Sequence, residues 1–157
     1  MGESASVNNS VLVVDDGVLM RAVLVRWLQA AGYRTHEAYD ATTALELVAA
    51  HEPDVVLVDV EMPGRDGLWL IERLRERSPN VAIVLATAHD TVPPAVSMQD
   101  GIVDYIVKPF ELERALVAVR RAVEWREAAV RRAPRLTGDA DTLDAWLRGR
   151  RVPPKGQ

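Results

Sequence analysis

Four short apolar runs each end in a residue with chemistry: Val11–Val14 leads into Asp15 and Asp16, and Val55–Val58 into Asp59. Ile83–Ala86 leads into Thr87, and Tyr105–Val107 into Lys108 and Pro109. The runs alternate with helix-period segments, the pattern of buried parallel strands joined by crossover helices. Strands are expected at Ser10–Asp15, Tyr33–Ala38, Asp54–Asp59, Val81–Ala86 and Ile102–Val107. Helices are expected from Val18 to Ala31, from the cap Asp40 to His51, from Leu68 to Ser78, over Val92–Gln99, and from Glu111 to Arg132. Right-handed crossovers fold these elements into a flavodoxin-like, doubly wound α/β sheet of order 2-1-3-4-5 with five helices, the last one extended.

In such a sheet ligands sit beyond the carboxyl ends of the strands. Asp15, Asp16, Asp59, Thr87 and Lys108 are therefore expected on one rim, with Asp15 and Asp16 facing Asp59 across the switch point. Adjacent carboxylates suit Mg²⁺, which takes oxygen ligands and keeps several waters. An aspartate can also act as nucleophile toward phosphorus. Phosphoryl transfer asks mainly for positioning and for charge cancellation at the equatorial oxygens, which Lys108, Thr87 and a metal would share.

Composition limits the alternatives. The 157 residues suit one domain with an appendage: a loose 1–9, a body at 10–122 and a helical extension at 123–157. There is no cysteine, which excludes thiolate chemistry, and no apolar run long enough to span a bilayer. With no export signal at the N-terminus, the expected location is cytoplasmic. Residues 1–110 carry a net −8 and residues 111–157 a net +4, so the body is a poor nucleic-acid binder and nucleic acid is not an expected partner.

The chain resembles the response-regulator receiver domains of bacterial two-component signalling. The residues that carry the likeness are VVDD at 13–16, LVDVEMPGRDG at 57–67, ATA at 86–88 and DYIVKPF at 104–110, over about residues 10–122. The resemblance implies that Asp59 is the phosphoacceptor, Asp16 a direct Mg²⁺ ligand, Asp15 a ligand largely through water, and the Glu61 backbone carbonyl a further ligand. It implies that Lys108 pairs with the phosphate across a cis bond to Pro109. Thr87 and Tyr105 would form the switch pair, reshaping the face made by the fourth helix, fifth strand and fifth helix. Glu61 and His89 would tune phosphoryl lifetime. The implied partners are a sensor histidine kinase or phosphotransfer protein and a downstream protein or output domain. Such a chain is not an enzyme beyond its own phosphorylation and dephosphorylation.

Other readings are open. The chain can be the receiver part of a longer regulator, or a phosphatase-like hydrolase, although Glu61 stands where such hydrolases carry a second aspartate and no cap insert is present. Single residues have plainer readings too: Asp15 or Asp16 as a helix cap, Asp66 as a turn and cap residue, Trp27 and Trp69 as packing residues, His36 and His51 as solvent-facing. Leu112, Leu116, Val119, Val123, Arg126 and Val130 form a 4-3-4-3-4 seam, which predicts an exposed helix serving dimerisation or linkage beyond Val123. A last short helix is expected at Asp139–Arg150, with Leu143, Trp146 and Leu147.

Overall fold

The structure, a computed structural model, describes residues 9–88 and 101–132. Its strands are β1 Ser10–Val14, β2 Arg34–Ala38, β3 Val55–Asp59, β4 Ala82–Thr87 and β5 Ile102–Val107. The described helices are α1 Val18–Ala30, α2 Ala41–His51, α3 Gly67–Arg77 and α4 Leu112–Arg132. The expected helix at Val92–Gln99, with Pro93 and Pro94, lies outside the described residues, as do His89 and the expected helix at Asp139–Arg150. The strands are parallel in the order β2-β1-β3-β4-β5, the order the apolar runs predict.

Strand periodicity builds two cores. Val11, Val13, Val55, Leu57, Val84 and Ala86 face α1 and α4 on one side of the sheet. Leu12, Val14, Val56, Val58, Ile83 and Leu85 face α2 and α3 on the other. All five residues of β1 and of β3, and all six of β4, are buried, which is why these runs are continuously apolar rather than alternating. β2 forms an edge, and its residues through Glu37 are partly exposed. Between β4 and β5 the pairing skips Val103, so Ile83 faces Ile102 while Val84 faces Asp104.

Helix ends follow their side chains. The Asp40 carboxylate accepts from Thr43 N at 2.8 Å, and Asp66 accepts from Trp69 N at 3.0 Å, so both act as N-caps. Gly32, at φ 99°, turns the chain out of α1 with a conformation that costs a glycine little.

α4 stays on the body further than its seam suggests. Val119 and Val123 are buried, and Arg126 pairs with Asp54 at 3.4 Å while donating to the Asn80 carbonyl at 3.0 Å. Leu116 packs against the same core, so four of the six seam positions are engaged within the chain, whereas Leu112 and Val130 are exposed. Trp27 packs edge-on to Phe110, as a packing residue should. His36 and His51 do not simply face solvent: their rings stack at 4.1 Å, and His36 is only partly exposed.

Candidate functional site

Register brings the acidic residues together. β1 and β3 run in step from Val11 opposite Val55 to Val14 opposite Val58, so the next residue in phase sets Asp15 beside Asp59. Asp15 and Asp59 are buried, Asp16 is exposed, and ligand-bearing oxygens from all three lie within 4.8 Å of one another.

Lys108 reaches this cluster from the far end of β5. Its Nζ stands 3.0 Å from Asp15 Oδ2 and 3.3 Å from Asp59 Oδ2, although 93 residues separate it from Asp15. Its backbone N–H donates to the Thr87 carbonyl at 2.7 Å, and the following bond to Pro109 is cis. Thr87 closes β4, buried, next to Asp59's strand. The structure thus places Asp15, Asp16, Asp59, Thr87 and Lys108 on one rim. Tyr105 sits two residues before Val107, which pairs with Thr87, and is exposed.

Local backbone bonds fix the nucleophile candidate. Glu61 N donates to Asp59 Oδ1 at 3.0 Å, leaving Oδ2 toward Lys108. Gly17 N donates likewise to Asp15 Oδ1 at 2.8 Å, so Asp15 braces the β1–α1 turn while α1 has no side-chain cap at Gly17. The Glu61 side chain is exposed.

Two residues matter here that the sequence motifs did not single out. A Cβ on Gly67 would stand 2.6 Å from the Asp59 carbonyl oxygen and 2.9 Å from Val60 Cα, so only glycine lets α3 begin this close to Asp59. Arg21 donates to the Asp15 carbonyl at 2.8 Å and pairs with Glu37 at 3.2 Å, tying α1 to the β1 terminus and β2. The first was signalled by a glycine right after a capping aspartate. The second left no local signal, because its partners lie on other elements.

Burial raises the Asp59 carboxyl above its ordinary range, against the pull of the Glu61 amide and the Lys108 charge, and the Asp15 charge adds to the rise. Burial acts in the opposite direction on the Lys108 ammonium, but its bond to Asp15 and the charges of Asp59 and Asp15 prevail and raise it. Three carboxylates around one ammonium leave the rim with excess negative charge. An all-oxygen donor set of this kind suits a hard divalent ion.

This sheet and this rim define a receiver-type signalling module. The family model of the response regulator receiver domain matches residues 11–120, and the chain belongs to that family, the response regulators of two-component systems. It is 40% identical over 114 residues to the DNA-binding transcriptional regulator NtrC of Escherichia coli (strain K12), a match covering 72% of this chain and 24% of that protein. It is also 40% identical over 111 residues to the response regulator MprA of Mycobacterium ulcerans (strain Agy99), covering 70% of this chain and 48% of that one. The chain spans about a quarter of the length of its NtrC relatives. Among solved structures, the signal receiver domain of an HD domain-containing protein from Pseudomonas fluorescens Pf-5 superposes with a TM-score of 0.71 at 30% identity. That match covers 77% of this chain and 98% of the other. No described helix is long and apolar enough to cross a membrane.

Proposed function

We propose that this receiver takes a phosphoryl group onto Asp59 from a phosphohistidine of a sensor kinase or phosphotransfer protein. An Asp59 carboxylate oxygen forms the new bond to phosphorus as the phosphorus–nitrogen bond breaks, and the imidazole leaves with that electron pair. The product is an aspartyl phosphate, a mixed anhydride. The observation that carries this reading is the Asp15–Lys108–Asp59 cluster, with one oxygen of Asp59 held by an amide and the other facing an ammonium.

Asp15, Asp16 and Asp59, with the Glu61 backbone carbonyl, would hold Mg²⁺. When bound, the ion supplies charge cancellation at the phosphoryl oxygens. Lys108 is already in place to meet one of those oxygens, and the Thr87 hydroxyl is the group proposed to meet another. Exposed Val18 and Leu19, at the start of α1 beside Asp16, offer an apolar landing for the donor protein.

The output follows from the switch pair. With Asp59 phosphorylated, Thr87 moves toward the phosphoryl group and outward-lying Tyr105 turns in, changing the surface around β5 and α4. That surface controls a downstream partner or output domain, and α4 is the element through which two copies would associate. Glu61 and His89 are the residues proposed to set phosphoryl lifetime. The chain's own chemistry is confined to its phosphorylation and dephosphorylation. The reading is tested by intact mass after incubation with Mg²⁺ and acetyl phosphate. One phosphate adduct, lost in Asp59→Ala and without Mg²⁺, is expected; an adduct that survives Asp59→Ala overturns the reading.

A further inference from the structure

Asp16 is the exposed member of the carboxylate rim, and no hydrogen bond or ion pair among the described residues holds its side chain. Asp15 and Asp59, by contrast, are each gripped by a backbone amide and by Lys108. The place of Asp16 is therefore set through its backbone, above all by the peptide unit it shares with Asp15. That unit is planar, so fixing the Asp15 carbonyl fixes where Asp16 leaves the chain.

Arg21 does the fixing. Its Nη1 donates to the Asp15 carbonyl at 2.8 Å, while the Asp15 N–H donates to the Ala38 carbonyl at 3.1 Å. Arg21 stands one turn into α1, where its own N–H donates to the Gly17 carbonyl at 2.9 Å. A helical side chain leans toward the N-terminus of its helix, which carries the guanidinium back over the end of β1. Glu37 holds it from the other side, accepting from Arg21 Nε at 3.2 Å. Glu37 pairs in register with Val13, two residues before Asp15.

The sign of the charge separates two roles for this arginine. A guanidinium beside a cation site opposes binding by Coulomb repulsion. Glu37 offsets that charge, so the pair leaves the excess negative charge of Asp15, Asp16 and Asp59 in force and contributes orientation.

Building on the Mg²⁺-assisted phosphorylation of Asp59, we propose that Arg21, braced by Glu37, is a positioning residue. It sets the affinity of the rim for a divalent cation through the Asp15–Asp16 peptide.

Mn²⁺ added to the full chain reports that affinity, because the electron paramagnetic resonance signal of the free ion is lost on binding. Arg21→Gln removes the guanidinium and its charge, whereas Arg21→Lys keeps the charge and loses the planar fork that serves both acceptors. Charge alone would tighten Mn²⁺ binding in Arg21→Gln and leave Arg21→Lys like the parent. Loss of positioning weakens both, by about tenfold in Arg21→Gln and by less in Arg21→Lys, as for other groups that orient metal ligands. Phosphorylation by acetyl phosphate should likewise need about tenfold more Mg²⁺ for half-saturation in Arg21→Gln, with the saturated rate close to the parent's. Circular dichroism in EDTA checks that each variant is folded, and Arg21→Lys carries the test alone if Arg21→Gln is not. Parent-like or tighter Mn²⁺ binding in the folded variants overturns the proposal and leaves Asp59 as acceptor untouched. A loss of affinity matched by an equal loss of saturated rate also overturns it, since that marks general damage to the rim. A parent that binds no Mn²⁺ overturns the metal-assisted reading itself, and this proposal with it.

Discussion

Asp59→Asn should make the metal-free protein more stable while removing its proposed acceptor. At an effective dielectric of about 20, the 3.3 Å contact between Lys108 and Asp59 is worth about 5 kcal/mol of gross attraction. Each like-charge pair closer than 4.8 Å opposes it by at least about 3 kcal/mol on the same footing, and Asp59 has two such neighbours in Asp15 and Asp16. Asp16 is exposed, so its share is the more strongly screened. The Coulomb terms nearly cancel, and desolvation of a buried carboxylate then decides the sign, in agreement with the upward direction of its pKa. Asparagine keeps the shape and an acceptor oxygen for the Glu61 amide but carries no charge. The expected gain is on the order of 1 kcal/mol at pH 7, a rise in melting temperature of roughly 2–4 °C. Urea unfolding in EDTA measures it. Added Mg²⁺ should narrow the gap, because the parent gains about 1.4 kcal/mol at ten times the dissociation constant. An Asp59→Asn protein less stable than the parent in EDTA would refute the reasoning and show that the Lys108 attraction outweighs burial and repulsion.

Three other outcomes are expected. Lys108→Met leaves two buried carboxylates without their cation and should cost about 1–2 kcal/mol in urea unfolding, discounted because the lysine is partly exposed, along with most phosphorylation by acetyl phosphate. Gly67→Ala must displace the backbone at Asp59 or Val60 and should cost about 1–3 kcal/mol while slowing phosphorylation; an unchanged unfolding midpoint contradicts the close approach. Asp104 is shielded from water, which raises its carboxyl, but its paired bonds to Arg114 at 2.9 Å and the nearby Arg121 prevail and lower it. A depressed acid contributes stability that is complete above the unfolded-state pKa of about 4 and fades as pH falls below it. The stability gap between parent and Asp104→Asn should therefore hold from pH 8 to 5 and shrink progressively below pH 4, and a gap undiminished down to the acid unfolding of the parent contradicts the pairing.

Strand order and the carboxylate rim were legible because both are written in local patterns. Continuous apolar runs mark strands buried on both faces, and each run ends at the residue that the sheet delivers to the rim. The parity that sets Asp15 beside Asp59 is itself a count along two strands. What could not be read depends on distant partners. Arg126 looks like a defect in a seam until Asp54 and Asn80 are brought beneath it. His36 and His51 meet only because β2 and the end of α2 are adjacent in space. Arg65 and Arg73 carry no signal along the chain and meet over the Trp69 ring only once α3 is folded.

Phosphorylation at Asp59 would leave a residue-specific chemical trace. Borohydride reduction of the acetyl phosphate-treated, Mg²⁺-loaded protein converts an acyl phosphate to an alcohol and marks the modified aspartate as homoserine in peptide mass spectra. Homoserine is expected at position 59, with aspartate retained at positions 15 and 16. Homoserine at 15 or 16, or an unreduced Asp59 beside a phosphorylated protein, would contradict it.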